Sequence, residues 1–145
     1  MTVGAYHYAA SSAETGADLA VWNFLGKYQS HHLPIREVLF GPPLSGGSVP
    51  RLFTLAEDCN FIEYDLENSG PYPEPGLKIF KVICIESSAI PLCMAWYPKF
   101  EVERFFVFSN TEHKFKLLND CTKLIQGTYL GPSSGAPVAR ITVRT

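Results

Sequence analysis

The sequence predicts an all-β fold, on three observations. Apolar residues recur with a period of two in short runs, as they do in half-buried strands. These runs are dense in Val, Ile, Phe, Tyr and Trp, which suit a pleated surface. The 11 glycines and 11 prolines lie mostly between the runs, where they form turns and end strands. No segment has the periodicity of an amphipathic helix of about ten residues or more.

The predicted strands are short, and segments rich in Gly, Pro and Ser separate groups of them at 41–48, 69–76 and 131–135. In chain order the predicted strands are Ala5–Ser11, Leu19–Phe24, Lys27–Gln29, Ile35–Phe40, Arg51–Leu55, Asn60–Leu66, Lys78–Ile85, Leu92–Tyr97, Arg104–Ser109, Lys114–Leu118, Lys123–Tyr129 and Val138–Val143.

Three segments repeat one pattern: a strand, an acidic tight turn, an alternating strand, and a bulky residue followed by Asp or Asn. They end on Trp22-Asn23, Tyr64-Asp65 and Leu118-Asn119. The first two ends are 42 residues apart, which agrees with the roughly 40–45 residues of one propeller blade of the WD40 type. The last two are 54 apart, and the loop 69–76 with the turn at 98–103 accounts for the longer spacing.

This pattern resembles the WD40 family, whose repeats close with Trp-Asp and open near Gly-His. Trp22-Asn23 and Tyr64-Asp65 are degenerate forms of the closing pair. Ser30-His31-His32 stands where Gly-His would precede the second repeat. The third repeat has Glu112 at its turn but neither an opening histidine nor a tryptophan. The resemblance implies a β-propeller, a scaffold that binds other proteins.

The resemblance also implies a semi-buried network of hydrogen bonds within the second repeat. In the family, a turn acid bonds the opening histidine, a Ser or Thr hydroxyl joins them, and the closing aromatic residue completes the set. Asp58 is the turn acid here, and either histidine of the pair is its predicted partner. The predicted structural residues are Trp22, His31, His32, Thr54, Asp58, Tyr64 and Asp65.

The repeats divide the chain into four parts. Residues 1–31 are predicted to form a partial blade, 32–85 and 86–130 one blade each, and 131–145 the first strand of a further blade. About two full and two partial blades are too few for a propeller, which closes with four to eight. The expectation is therefore an internal fragment of a longer protein, whose unclosed array leaves edge strands exposed.

A narrower similarity lies in the amino-acid sequence of the second and third repeats. It includes Leu55–Asp58 with Ile62–Ser69, then Pro91–Pro98, then 130–132 with 135–138. In order and spacing these stretches are similar to the WD-repeat cilia- and flagella-associated proteins of the calmodulin- and spoke-associated complex. The similarity covers roughly residues 32–144. It implies a structural subunit of the axoneme at the base of the radial spokes, with spoke and calmodulin-associated subunits as partners.

Composition restricts the partners further. With 12 basic and 14 acidic residues and a net charge of −2, neither nucleic acid nor a membrane surface is an expected partner. Exposed aromatic residues could stack bases, but the aromatic residues are predicted to lie between blades. These are Tyr6, Tyr8, Phe105 and Phe106. No signal peptide is recognised at the start, so the cytoplasm, and within it the cytoskeleton of a cilium or flagellum, is the predicted location.

The cysteines Cys59, Cys84, Cys93 and Cys121 lie far apart and form no C-x-x-C pair. They are predicted to be buried thiols in a reducing compartment, with a disulfide framework or a zinc site as the alternative.

Motifs for catalysis are weak or missing. Leu44-Ser45-Gly46-Gly47 copies the start of the ABC-type ATPase signature, but the sequence has no Walker A motif to hold phosphates. His31 and His32 could be metal ligands, but they are adjacent on the chain. Neighbours on a strand point to opposite faces, so the two histidines cannot easily share one metal ion. No G-x-S-x-G elbow occurs. A Cys/His site assembled in space from His7 or His113 stays open. The chain is predicted not to be an enzyme and to use no cofactor, metal or small-molecule substrate.

Binding is the remaining role. The loops 41–50 and 69–76 are long for strand connections, and long loops in compact domains tend to be functional or disordered. Their rigid, partly apolar residues are the predicted protein contacts: Pro42, Pro43, Tyr72, Pro73 and Pro75. Two functions stay open, a structural axonemal subunit that docks a spoke and a generic cytosolic WD40 adaptor, for example in ubiquitin ligation or vesicle traffic.

Overall fold

The computed structural model describes residues 2–10, 20–43, 47–70, 76–85, 87–97 and 104–131, with backbone only up to residue 27. These residues form antiparallel strands and no helix, so nothing in them could cross a membrane as a helix. The prediction of an all-β fold is confirmed. The strands are β1 (Thr2–Ala10), β2 (Ala20–Gln29), β3 (Ile35–Gly41), β4 (Arg51–Ala56), β5 (Asn60–Asp65), β6 (Lys78–Cys84), β7 (Pro91–Trp96), β8 (Phe105–Asn110), β9 (Lys114–Asn119) and β10 (Ile125–Leu130).

The strand prediction differs from the structure by up to three residues at strand ends, and it was wrong about one break between strands. Leu19–Phe24 and Lys27–Gln29 were predicted as separate strands, but one continuous strand, β2, runs through both. Gly26 pairs with Ala5 and Phe24 with Tyr6, so the ladder shifts register at this point. Leu25 is the residue that the bulge leaves unpaired in the ladder, and the strand continues through Gly26 beside it, although a glycine often signals the end of a strand. The predicted strand Val138–Val143 lies outside the described residues.

The strands form three sheets. β1 and β2 pair as a hairpin, β3 to β6 form one four-stranded sheet in sequence order, and β7 to β10 form another. Every pair within a sheet is antiparallel, so each four-stranded sheet is a simple meander. Within the described residues neither meander is closed on itself.

The two meanders share one turn conformation. Cys59, between β4 and β5, and His113, between β8 and β9, are non-glycine residues with positive φ, at 65° and 57°. Each is the residue before the next strand begins. Such left-handed residues are uncommon, so their recurrence at equivalent positions agrees with the repeat seen in the sequence.

The main core lies between the meanders. Phe53 and Phe61 from the first meander meet Phe106 from the second, with ring centroids 4.9 and 4.8 Å apart. Alternation along each strand directs these residues to one face. The buried cluster consists of Phe53, Leu55, Phe61, Ile85, Met94, Phe106, Phe108 and Leu118. The opposite face of the first meander carries a smaller cluster, Leu52, Ile62, Tyr64 and Leu77. All of β4 is buried because both of its faces are covered.

A close contact between β3 and β7 brings the meanders together at one corner. The indole of Trp96 donates from Nε1 to the carbonyl oxygen of Phe40, at 3.1 Å. Its ring lies over the backbone of Gly41 and 3.8 Å from the ring of Phe106, measured between centroids. A Cβ on Gly41 would overlap the Trp96 ring and approach a ring carbon of Phe53 to 2.9 Å. Glycine therefore sets how closely the two strands approach.

Gly41→Ala should lower the free energy of unfolding by about 1–3 kcal/mol, because the new methyl group forces Trp96 out of its position. Urea denaturation followed by circular dichroism measures the change. Gly47→Ala, at an exposed loop glycine, is the matched control and should change little. Equal effects of the two substitutions would contradict the contact described.

The outer strands of the two meanders differ in charge. β6 carries exposed Lys78 and Lys81, which discourage pairing with another strand. β10 has no charged residue, and Ile125, Tyr129 and Leu130 on it are all exposed. The two meanders thus present unlike edges.

Candidate functional site

The structure brings together four residues of the predicted network. His31 lies between β2 and β3, Thr54 in β4, Tyr64 in β5, and Asp58 in the turn that joins β4 to β5. His31 Nδ1 is 3.1 Å from both carboxylate oxygens of Asp58, and its Nε2 is 2.7 Å from Thr54 Oγ1. Thr54 Oγ1 is in turn 3.2 Å from the hydroxyl of Tyr64. The chain of contacts therefore joins the segment before β3 to the two central strands of the meander.

The carboxylate of Asp58 determines the direction of these hydrogen bonds. An ionised carboxylate only accepts, so Nδ1 of His31 carries the proton and donates. Asp58 also accepts from the backbone N–H groups of His32 and Asn60, at 3.0 and 3.1 Å. Burial alone would raise the pKa of Asp58, but these two donors and His31 outweigh it and hold the pKa below its ordinary value. His31 itself is fully buried.

The other predicted members of the network lie elsewhere. The side chain of His32 is exposed, and only its backbone N–H reaches Asp58. Asp65 lies at the far end of β5 and accepts from Asn68 Nδ2 at 2.7 Å. These bonds to Asn68 lower the pKa of Asp65. The backbone of Trp22 pairs with that of Tyr8. The structure describes no side chain in this part of the chain, so the predicted role of the Trp22 side chain stays a prediction. Ser30 was named only as the residue before the histidine pair, not as a member of the network, but its Oγ lies 2.5 Å from the Tyr64 hydroxyl.

The predicted binding loops are described only in part. Pro42 is exposed, Pro43 is partly exposed, and Tyr72, Pro73 and Pro75 lie outside the described residues. The carbonyl of Pro42 accepts from Nε of Arg51 at 2.9 Å. A cleft of about 190 Å³ opens beside this loop, with Val49, Leu66 and Phe80 among its lining.

A second polar cluster, which we call the charged quartet, lies between the meanders. It consists of Arg51, Glu63, Asp120 and Lys123. Arg51 bonds Asp120 through both terminal nitrogens, at 2.7 and 3.0 Å, and lies 3.2 Å from Glu63. The ammonium of Lys123 lies 2.7 Å from Asp120 and forms an ion pair with Glu63 Oε2 at 2.8 Å.

The charged quartet is buried among aromatic rings. Arg51, Glu63 and Asp120 are 6%, 2% and 3% exposed, so nearly all of their hydration is lost. The guanidinium of Arg51 lies 5.0 Å from the ring centroid of Phe53, as a cation over a π face. Burial alone would raise the pKa of Asp120, but Arg51 and Lys123 outweigh it and lower the pKa. The pKa of Arg51 is raised, since Asp120 and Glu63 outweigh its desolvation.

Sequence reasoning missed the charged quartet, although a signal for half of it exists. The period of two places Arg51 on the face of Phe53, and Glu63 on the face of Phe61. A charge on a face that is otherwise aromatic requires a partner. Nothing in the sequence says that the partners are Asp120 and Lys123, because they follow a different strand in a different sheet.

The described residues contain no group of three or more His, Cys, Asp or Glu side chains that could hold a metal ion. All four cysteines are free thiols. Cys93 is buried and Cys59 partly buried, but Cys84 and Cys121 are exposed, so the prediction of four buried thiols was wrong for these two. Cys84 ends the outer strand β6 and Cys121 lies in a surface turn. His113 lies in the turn before β9, and of Leu44–Gly47 only Gly47 is described.

Asp58→Ala should lower the free energy of unfolding by about 1–3 kcal/mol, because it leaves the buried Nδ1–H of His31 without its acceptor. Equilibrium denaturation in urea measures the loss. Glu112→Ala is the matched control, since Glu112 is at the same turn position in the second meander and forms an ion pair with a partly exposed Lys114. It should change stability by less than about 0.5 kcal/mol. A loss as small for Asp58→Ala would mean that the network does not stabilise the fold.

Acid should destabilise the protein as the pH falls from about 5 towards 2. The pKa values of Asp58 and Asp120 are both below the ordinary 3.8 in the folded state. Carboxylates of this kind add stability above the unfolded-state pKa and lose it as the pH falls through the folded-state pKa. Asp120→Asn should therefore be less stable at pH 7 and show a shallower fall with acid. Parallel pH profiles for this variant and the parent would contradict the assignment.

Comparison with known proteins relates the chain to ciliary and flagellar proteins. It is 37% identical over 123 residues to cilia- and flagella-associated protein 251 of Pongo abelii, which covers 85% of this chain. It is 36% identical over 118 residues to the protein of that name in Mus musculus, covering 81% of the chain. For that of Tetrahymena thermophila the identity is 30% over 138 residues, covering 84%.

The match is to one part of much longer proteins, since the chain spans only 10%, 9% and 14% of these three relatives. No family model matches the chain, so membership in the WD40 family stays a prediction. By this similarity, the chain is related to one segment of cilia- and flagella-associated protein 251.

Proposed function

We propose that this chain is part of a non-catalytic, protein-binding scaffold in the axoneme of a cilium or flagellum. The observation that carries the proposal is its similarity to one segment of cilia- and flagella-associated protein 251 in three organisms. Within the axoneme, the radial-spoke base is the proposed position, with spoke and calmodulin-associated subunits as partners. The motifs shared in order and spacing with the proteins of that complex support this position.

The proposed architecture is an arc of a WD40-type propeller, in which β3–β6 and β7–β10 are successive blades. Three features support it: the 42-residue spacing of Trp22 and Tyr64, the meander order of each sheet, and the hydrogen bonds joining His31, Thr54 and Asp58. A propeller also explains the exposed apolar residues on the rim of the first meander. Phe40 and Val82 are 65% and 51% exposed, and a neighbouring blade would cover them.

A scaffold role requires surfaces rather than a reaction centre. The loop at Pro42 and Pro43 lies at the end of the first meander and offers rigid apolar surface at little entropic cost. Propellers present such loops on flat faces, where other proteins bind. In this proposal the chain performs no catalytic step, and its loss removes an attachment point.

The test is to tag the full-length gene product in ciliated cells and to fractionate their axonemes. After salt extraction the tagged protein should remain with spoke and calmodulin-associated subunits, and its deletion should impair motility while axonemal ATPase activity stays unchanged. A tagged protein that is diffuse in the cytosol and missing from purified axonemes would refute the proposal. That outcome would favour the generic cytosolic WD40 adaptor.

A further inference from the structure

The charged quartet forms a closed ring of alternating charge. Its order around the ring is Arg51, Asp120, Lys123, Glu63 and back to Arg51, and every neighbouring pair is 2.7–3.2 Å apart. The first meander supplies Arg51 and Glu63, and the turn after β9 in the second supplies Asp120 and Lys123. Each meander therefore contributes one charge of each sign, and the like charges lie diagonally opposite.

Two of the four pairs cross between the meanders: Arg51 with Asp120, and Lys123 with Glu63. The other two pairs lie within one meander, so they hold each charge in place before the meanders meet. Lys123 takes a positive φ of 58°, a conformation that costs energy for a residue with a Cβ. The ammonium of Lys123 lies against the two carboxylates and not in solvent. Its side chain is only 8% exposed.

The aromatic cluster beside the quartet cannot by itself fix one position of the meanders. Apolar contacts are non-directional, and a core keeps much of its stability when it repacks. The quartet is different, because a slide by one residue along a strand, about 3.3 Å, would separate both crossing pairs. Each charge would keep its partner within the same meander but lose its partner across the contact while it stays buried, which is unfavourable.

We propose that the charged quartet is a positioning lock between the two meanders. It permits one relative placement of β3–β6 against β7–β10, and through Nε of Arg51 it also holds the Pro42 carbonyl to that placement. The loop after β3 and the turn after β9 are then fixed to one another as a single rigid corner. This proposal rests on the described geometry and does not depend on the ciliary role.

A double-mutant cycle in the full 145-residue chain tests the coupling. Lys123→Met and Glu63→Gln should each reduce the equilibrium constant for folding roughly 100- to 1,000-fold, because each leaves the buried ring with one uncompensated charge. The double variant should be little worse than either single variant. Effects that simply multiply would show that Lys123 and Glu63 are not coupled, and would overturn the proposal.

A second experiment separates position from stability. The variant Arg51→Met, Glu63→Leu, Asp120→Leu, Lys123→Met replaces the ring with apolar groups, which commonly preserves or raises stability. Spin labels on Cys84 in β6 and on a Thr128→Cys substitution in β10 report the distance between meanders. Cys59→Ala and Cys121→Ser remove the other accessible thiols, and buried Cys93 stays.

The parent should give one narrow distance distribution in double electron–electron resonance, and the apolar variant a clearly broader or displaced one. An apolar variant with the same narrow distribution as the parent would overturn the proposal. If that variant does not fold, the Glu63→Gln, Lys123→Met double variant is measured in the same way and judged by the same outcomes. Glu112→Gln, which neutralises an exposed ion pair with Lys114, is the control and should leave the distribution unchanged.

Discussion

Phe106→Ala should lower the free energy of unfolding by about 3–5 kcal/mol. The side chain of Phe106 is fully buried, and its ring centroid lies within 5 Å of those of Phe53, Phe61 and Trp96. Truncation removes the transfer free energy of the ring and leaves a cavity that four strands from two sheets cannot fill by small shifts. Urea denaturation followed by circular dichroism measures the loss.

Phe80→Ala is the matched control, because Phe80 lies on the outer strand β6 and is 58% exposed. Its truncation should change stability by less than about 0.5 kcal/mol. If both alanine variants unfolded at the same urea concentration as the parent, the two meanders would not share the core described. If Phe106→Ala also showed a lower denaturant slope, residual structure in one meander would be indicated.

Arg51→Met should cost about 3–5 kcal/mol, because it removes one cation from a buried ring and leaves two carboxylates to a single lysine. Methionine preserves much of the volume of the side chain, so the loss reports mainly on charge. It should shrink as the pH falls, because Asp120 takes up a proton and no longer needs the guanidinium. Thermal and urea unfolding at pH 7 and at pH 3 provide the comparison.

Arg36→Met is the control for this substitution. Arg36 forms an ion pair with Glu57 at 2.5 Å, but its side chain is 44% exposed. Exposed pairs contribute about 0–1 kcal/mol, since water and salt already screen them. A loss for Arg51→Met no greater than that for Arg36→Met would mean that the charged quartet adds nothing to stability.

Period and turn chemistry predicted most of the fold. β3 to β10 lie close to the predicted runs, because alternation decides which residues enter a strand and Gly or Pro marks where it stops. Gly26 misled this reasoning, since a bulge lets a strand continue through a glycine. The left-handed position at Cys59 could not be predicted either, as cysteine does not signal a positive φ.

The candidate site was predictable only where a family pattern exists. His31, Thr54, Asp58 and Tyr64 were named because the WD40 pattern specifies their spacing, although the choice of His31 over His32 needed coordinates. The charged quartet follows no such pattern. Arg51 and Asp120 are 69 residues apart, and their meeting depends on how two complete sheets pack. A single sequence carries no local sign of that arrangement.

The meander topology has a consequence for the order of folding. Every strand pair in the two four-stranded sheets joins neighbours along the chain, so the loops to be closed are short and their entropic cost is small. We expect each sheet to form soon after its last strand leaves the ribosome, with β3–β6 first. The contacts between Arg51 and Asp120 form only when β9 has emerged and its turn has closed. Until then the newly made first sheet exposes its aromatic face. Because chaperones bind exposed apolar surface, we expect chaperone binding to be strongest during this interval.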